Sequence, residues 1–287
     1  MNGYEYILAK QTAWAANSGI TLQGSKGKRG RPAYTYELNQ NLFQSLLPEV
    51  QKSFSEGDGS ELGSTEFPGK MQALHSSSAL GVNVFQYWKS INAIPVIAAQ
   101  CGFCRTDSNV SNDICFEEKY PIDDKYGYSP NIDVVIHNTT SAKIKRFAVE
   151  CKFSEAYGAH RHGGLKPAYL GIEDVWTDIP NLRDLAKIIS PEDNKFVHLH
   201  PAQLVKHILG LKRQFGKTGF RLLYLWYDVF GKQGKQHRDE VLKFTEMTKS
   251  DGIKFHPLTY QELIVKLANK QRKDHPEYIR YLTGRYL

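Results

Sequence analysis

The sequence has few cysteines and no long apolar run. Only 4 of its 287 residues are cysteine, too few for the disulfide framework of a secreted protein, so we expect a reducing, cytoplasmic setting. No stretch approaches the roughly 18 consecutive apolar residues of a membrane-spanning helix. The first ten residues also lack the charged and apolar regions of a signal peptide. We therefore expect no association with a membrane.

The sequence also lacks the signatures of several familiar architectures and catalytic sites. No internal repeat with a period of roughly 20 to 50 residues is visible, which argues against a solenoid or a propeller. No glycine-rich phosphate-binding loop and no serine nucleophile motif is present. The composition nevertheless supplies a core, because 41% of the residues are apolar and 12% are aromatic. A disordered or fibrous protein is thereby excluded.

The charge balance points to an anionic partner. Lysine and arginine total 37 residues against 30 acidic residues, which gives a formal net charge of +7. Such an excess favours nucleic acid, since each phosphate contact releases condensed counterions. Many basic proteins bind no polyanion, so charge alone does not decide the function.

Hydrophobic periodicity predicts an α/β protein. Its elements are a helix, three strand-like runs, a second helix and a buried strand, at Lys70–Lys89, Asp113–Ile122, Ile132–His137, Ile144–Phe153, Pro201–Phe215 and Phe220–Tyr227. We divide the chain into an N-terminal basic arm with a short helix at Glu37–Phe54 (1–65), a core (66–230) and a helical C-terminal extension (231–287). A polar, glycine-rich insertion interrupts the core at about residues 154–194.

The second and third strand-like runs form a hairpin with one apolar side if they pair antiparallel. The opposed apolar residues in that register are Ile132 with Cys151, Val134 with Val149, and Ile136 with Phe147. Because side chains alternate along a strand, a slip of one residue would destroy this match. Hydrophobicity alone therefore predicts the register.

The same register places Asp133 opposite Glu150, with Lys152 beside them. Opposed β-carbons lie about 4.5 to 5.5 Å apart, where two carboxylates repel by roughly 3 kcal/mol at an effective dielectric near 20. A divalent cation with oxygen ligands would remove that cost. An isolated acid-x-Lys pattern is usually an exposed salt bridge, but the opposed carboxylate favours a site.

These residues carry a family resemblance. Pro130, Asp133 and Glu150-Cys151-Lys152 resemble the signature of the PD-(D/E)xK, or restriction-endonuclease-like, nuclease superfamily. The order of elements from about Lys70 to Asp228 is similar to its core of a helix, a three-strand antiparallel meander, a helix and a strand. Two residues separate Pro130 from Asp133, where the strict motif has them adjacent. The helical N- and C-terminal additions lie outside the resemblance.

The predicted first helix relates the chain to one group of proteins within the superfamily. It carries a serine-rich segment, His75-Ser76-Ser77-Ser78. In this respect the chain resembles bacterial restriction-endonuclease-like proteins within the superfamily.

The resemblance implies a metal-dependent catalytic site. Asp133, Glu150 and Lys152 would be catalytic, and Mg²⁺, for which Mn²⁺ can substitute, would be held by Asp133, Glu150 and the backbone carbonyl of Cys151. The metal would lower the pKa of a bound water and polarise the scissile phosphate. Lys152 would orient or help deprotonate that water, or stabilise charge growing on the phosphate.

Five further residues are candidates for supporting roles. Glu66 is the nearest match to the acidic residue that family members often carry on the first helix. Glu155 would hold a second metal or pair with the lysine, or it is a solvated loop carboxylate. Gln203 would support the lysine or DNA, or it is a capping or surface residue. His75 and Ser77 would contact a phosphate, or they form hydrogen bonds beside the core.

Two other patterns leave alternatives open. The Arg-Gly-Arg-Pro segment within 28–32 resembles the core of an AT-hook, an arm that lies in the minor groove, and short basic segments also arise by chance. The residues that would contact DNA there are Lys26, Lys28, Arg29 and Arg31. Cys101, Cys104 and Cys115 suggest a partial zinc site, with ordinary buried thiols as the simpler reading.

The sequence thus predicts a Mg²⁺-dependent DNA nuclease, most simply an endonuclease of restriction or phage defence. The alternatives are a catalytically silent DNA-binding module of the same fold and a nuclease that acts in repair or on RNA. The sequence also leaves open whether the protein forms a homodimer.

Overall fold

A computed structural model describes residues 1–24, 31–57, 59–64, 67–123, 129–158 and 162–287. Within these ranges the chain is an α/β protein built on a five-stranded mixed sheet. The strands are β1 (Ser111–Lys119), β2 (Asn131–Asn138), β3 (Arg146–Lys152), β4 (Phe220–Trp226) and β5 (Phe255–Thr259). They lie in sequence order: β1, β2 and β3 are antiparallel, and β3, β4 and β5 are parallel.

Helices flank the sheet on both sides. They are α1 (Gly3–Asn17), α2 (Pro48–Glu56), α3 (Ser77–Ser90), α4 (Ile94–Gln100), α5 (Pro180–Ile188), α6 (Pro201–Phe215), α7 (Gly231–Ser250), α8 (Tyr260–Gln271) and α9 (Pro276–Tyr286). Short 3-10 helices occur at Leu38–Asn41, Lys70–Gln72, Glu155–Tyr157, Pro167–Gly171 and Glu173–Trp176. No helix in the described ranges is both long and apolar enough to cross a membrane.

The sheet is buried on both faces. One face packs against α3, α4, α8 and α9 in a cluster that includes Val134, Val149 and Leu223. The other face packs against α5, α6 and α7 in a cluster that includes Val135 and Leu222. A polar side chain on the central strands therefore lies in a region from which most water is excluded.

Helix α6 packs on this second face of the sheet. It begins at Pro201, whose missing N–H costs nothing at the first helical position. It ends before Gly216, whose φ of 67° is the left-handed conformation that glycine tolerates. Between these ends, Leu204, Val205 and Ile208 are buried and fix the orientation of the helix.

The N- and C-terminal segments pack together. The guanidinium of Arg285 in α9 is buried and donates hydrogen bonds to Oε1 of Gln11 in α1 and to the backbone oxygen of Asn41, each at 2.9 Å. The buried positions of α1 are Gly3, Ile7, Gln11 and Ala15. Their spacing of four places them on one face of the helix.

The segment predicted as an insertion also contributes to the core. Its side chains Leu165, Trp176, Leu182 and Ile189 are buried in the second cluster. Asp251, at the end of α7, accepts hydrogen bonds from the backbone N–H groups of Asn181 and Leu182. These bonds satisfy backbone N–H groups at the start of α5 that have no partner within the helix.

The observed elements confirm part of the predicted order and correct the rest. The antiparallel meander, the helix at Pro201 and the strand after it are present, but the whole sheet is mixed because β4 and β5 run parallel to β3. The predicted helix over Glu37–Phe54 is wrong: Leu38–Asn41 is a 3-10 helix and α2 starts only at Pro48. The first core helix begins at Ser77 rather than Lys70, with the Ser76 side chain as its N-cap.

Candidate active site

The hairpin of β2 and β3 has the predicted register over Val134–His137, but Ile132 and Cys151 pack in different clusters and do not form the predicted apolar pair. Val134 pairs with Val149, and Ile136 pairs with Phe147. Just beyond this paired segment, the backbone N–H of Cys151 donates a hydrogen bond of 2.6 Å to Oδ2 of Asp133. The contact brings Asp133 to the position where β3 carries Glu150 and Lys152.

Glu150 lies beneath the surface and is held from two sides. Its side chain is 0% exposed. Oε1 forms an ion pair with Nζ of Lys152 at 2.6 Å, and Oε2 accepts a hydrogen bond of 2.7 Å from Nε2 of His207 in α6. Burial alone would raise the pKa of Glu150, but the charge of Lys152 and the contact with His207 outweigh burial and lower the pKa to about 2. Glu150 is therefore ionised.

A third carboxylate comes from β1. Phe116 pairs with Val134 and Glu118 pairs with Ile132, so Glu117 lies across from Asp133. Its φ is 54°, a conformation that a non-glycine residue adopts only at a cost of about 1 to 3 kcal/mol. Burial, and then the charges of Glu61 and Glu150, raise the pKa of Glu117 to about 7.

These strands open into a cavity of about 550 Å³, which we call the acidic cavity. Four carboxylates and two ammonium groups line it: Glu61, Glu117, Asp133 and Glu155, with Lys70 and Lys152. Burial and the neighbouring Glu150 raise the pKa of Asp133 well above its usual value, against the effect of Lys152. The acidic cavity thus gathers four carboxyl groups around two ammonium groups.

Lys152 stays charged at this position. Burial would lower the pKa of its ammonium, but the charges of Glu150, Glu155 and Asp133 outweigh that effect and raise the pKa. A cation is thereby fixed next to the carboxylates, at the rim of the buried ion pair. It can attract an anionic substrate or orient a water molecule.

A family model that describes a restriction endonuclease associating with ARP matches residues 8–287. The chain belongs to this restriction-endonuclease family. Searches of curated proteins and of solved structures return no match for it. Family membership confirms the resemblance to restriction-endonuclease-like proteins and supports a nuclease-related function.

The structure of this restriction-endonuclease family member brings four of the predicted supporting residues together. His75, Ser77, Glu155 and Gln203 all line the acidic cavity. Nε2 of His75 lies 3.4 Å from the Tyr4 hydroxyl, while its Nδ1 is buried and finds no partner in the part of the chain described. Oε2 of Glu155 accepts a hydrogen bond from the backbone N–H of Phe153.

Of the remaining predicted residues, only Arg31 falls within the described ranges. Glu66, Lys26, Lys28 and Arg29 fall outside the described residues. Arg31 is described, and its guanidinium carbon lies 5.4 Å from the centre of the Tyr34 ring, a cation–π distance. Tyr34 itself lines the acidic cavity. The end of the basic segment therefore lies near the rim of that cavity.

Sequence reasoning missed three residues of the family member's site. Glu61 precedes α3 in a segment that reads as a linker, and no local pattern marks it. Glu117 lies in β1, where only the pairing with β2 reveals its position. His207 has a usable signal, because it follows Gln203 by four residues and so shares one face of α6.

The three cysteines suggested as a zinc site are not grouped in the described structure. Cys101 and Cys151 are buried, and all four cysteines are free thiols. Cys115 lies instead with Glu118 and His137, whose potential ligand atoms are within 4.8 Å of one another. Glu118 and His137 already contact each other at 2.6 Å.

Proposed function

We propose that the chain is a metal-dependent nuclease that hydrolyses phosphodiester bonds in DNA. One observation carries the proposal: Glu117 and Asp133, on adjacent strands, line one cavity with Lys152, and that lysine forms an ion pair with the buried Glu150 of β3. The arrangement supports the PD-(D/E)xK assignment and a restriction-endonuclease-like core. A surface that only binds DNA gains nothing from several carboxylates that would repel phosphates.

The oxygen atoms at the site suit Mg²⁺, with Mn²⁺ as a substitute. Magnesium prefers carboxylate and carbonyl oxygens, and the site offers Asp133, Glu117, Glu150 and the backbone carbonyl of Cys151. Oδ1 of Asn131 is buried without a hydrogen-bond partner among the described residues, and Oε1 of Glu150 has only its ion pair with Lys152. When bound, the metal would supply a nucleophilic water at neutral pH and polarise the phosphate.

The protein residues would position the reactants. Lys152 would orient the attacking water, or it would stabilise the negative charge that develops on the phosphate. His207 would hold Glu150 in place through its 2.7 Å hydrogen bond. Gln203, which lines the acidic cavity one helical turn earlier, would contact the lysine or the DNA backbone.

The biological setting is proposed from the family alone. Restriction or phage defence fits a restriction-endonuclease family, and an endonuclease fits a cavity that is open to solvent. The family description names association with ARP, and we extend that association to this chain as part of the proposal. Co-purification of the chain with such a partner would test it.

Cleavage of supercoiled plasmid tests the activity. We expect wild-type protein to nick or linearise the plasmid with Mg²⁺ and to leave it intact with a chelator. Asp133→Asn should be inactive, whereas Asp184→Asn, which removes an exposed carboxylate paired with Lys187, should cleave like wild type. A labelled RNA in parallel decides between DNA and RNA. Binding to plasmid with no Mg²⁺-dependent cleavage would instead identify a catalytically silent DNA-binding module.

A further inference from the structure

A second cavity, of about 470 Å³, adjoins the acidic cavity, and we call it the basic cavity. Lys166, His200, Lys206 and His207 line it, together with Tyr169. No carboxylate is among its lining residues in the described part of the chain. The carboxyl groups therefore line one cavity, and the neighbouring cavity offers lysines and histidines instead.

Two side chains belong to both cavities. Asn131 and Gln203 line the acidic cavity and the basic cavity alike. They form a shared wall, so a chain of phosphates that crosses this wall would place one phosphate in each cavity. The neighbouring phosphates of a nucleic-acid strand are such a chain.

The basic cavity contains a buried polar atom without a partner. His207 is 1% exposed, and its Nε2 is used by Glu150. Its Nδ1 has no hydrogen-bond partner among the residues that the structure describes. Because Nε2 donates to Glu150, Nδ1 of a neutral ring accepts, and a water molecule that bridges Nδ1 to a bound anion would remove the roughly 1 to 3 kcal/mol cost of a buried polar atom without a partner.

Two lysines supply the positive charge. Burial lowers the pKa of Lys206, and the charge of Lys166 adds to that effect, against the opposite effect of Glu150. Lys166 is thus near enough for the two ammonium groups to repel each other. An anion between them would relieve the repulsion.

The wall of the basic cavity is fixed by packing. Nε2 of His200 contacts the backbone oxygen of Gly163 at 3.1 Å, and its ring stacks on that of His162 at 4.7 Å. At Gly164, an added Cβ would lie 2.0 Å from the backbone oxygen of Ile189. The loop therefore approaches its neighbour as closely as only glycine allows, and the cavity is preformed.

We propose that the basic cavity binds an internal phosphate of the same nucleic-acid strand whose scissile phosphate lies in the acidic cavity. The proposal rests on the proposed nuclease function, and it adds a second subsite with Lys166 and Lys206 as its charged groups. The ligand is a backbone phosphodiester rather than a free phosphate or a terminal one.

The test removes both charges and keeps the side-chain length. The double variant Lys166→Met with Lys206→Met is compared with the control Lys243→Met with Lys270→Met, because those exposed lysines line neither cavity. Binding of a short duplex with 5′-hydroxyl ends is measured by fluorescence anisotropy, in chelator, at several KCl concentrations. We expect the salt slope of log K to become shallower by about 0.9 for each lost contact in the cavity variant and to stay unchanged in the control.

Other outcomes would overturn the subsite. An unchanged slope in the cavity variant, or an equal change in the control, means that the cavity holds no phosphate. An effect seen only with a duplex that carries 5′-phosphates means that the cavity binds a strand end. If the slope responds as expected but the wild-type protein never cleaves with Mg²⁺, the subsite stands and the proposed nuclease function fails.

Discussion

Nζ of Lys152 lies 2.6 Å from Oε1 of Glu150, a carboxylate with no exposed surface. The lysine is therefore half of a buried ion pair as well as a candidate catalytic group. A buried pair is far more sensitive to the loss of one partner than an exposed pair is.

Lys152→Ala should reduce both activity and stability. Cleavage should fall by orders of magnitude, because the charge that acts on the water or the phosphate is gone. The free energy of unfolding should fall by about 3 kcal/mol, since Glu150 loses a buried partner and keeps His207. Plasmid cleavage and urea unfolding measure the two effects, and the double variant with Glu150→Gln should recover part of the stability. Wild-type cleavage by folded Lys152→Ala would refute the assigned role.

Asp133→Asn should impair metal binding without destabilising the metal-free protein. Burial raises the pKa of Asp133, so a neutral amide should leave the melting temperature of the metal-free protein unchanged or higher. Millimolar Mg²⁺ or Mn²⁺ should raise the melting temperature of the wild type and have little effect on the variant. Calorimetry with and without metal checks this. A wild type that is indifferent to both metals would contradict the proposed site.

Glu117→Gly should stabilise the metal-free protein or leave its stability unchanged. Glycine adopts the φ of 54° at Glu117 without strain, which offsets the entropy that glycine loses in a strand. The change also removes a half-buried carboxylate that repels its neighbours. The rise of melting temperature with Mg²⁺ should shrink at the same time. Glu117→Ala is the matched control, because it removes the carboxylate but keeps the backbone strain, and it should be less stable than the glycine variant.

His237 should make the protein sensitive to mild acid. Its ring is buried, contacts the hydroxyl groups of Tyr224 and Tyr157, and has a pKa lowered to about 3 by burial. Below the ordinary histidine pKa of about 6.5, His237 takes up a proton in the unfolded state but not in the folded state. The free energy of unfolding therefore falls as the pH drops. Between pH 6.5 and 5 this loss is about 2 kcal/mol. Urea unfolding at several pH values should show a smaller loss for His237→Gln, and equal slopes would refute the assignment.

The register of the hairpin was predictable from one apolar face. Val134, Val149, Ile136 and Phe147 form that face, although Val135 and Ala148 between them are also apolar and pack on the other side. Ile132, predicted to join them, packs in the second cluster instead. The second face of the sheet is also covered, so an apolar side chain is stable on either side.

Other elements lacked a readable pattern. The buried face of α1 includes glycine, glutamine and alanine, so its apolar stripe is too weak to detect. Strand β5 is short, lies at the edge of the sheet and contains Pro257, which argues against a strand in a sequence. Glu61 and Glu117 reach the acidic cavity through long-range folding, which no local spacing encodes.

The hydrogen bonds of Arg285 have a consequence for how the molecule opens. This one guanidinium joins α1 through Gln11, the segment at Asn41, and α9. Opening any one of them would leave a buried charge without its acceptors, which is costly. The amides of α1 and α9, although far apart in sequence, should therefore exchange with deuterium together, as one cooperative unit of local unfolding.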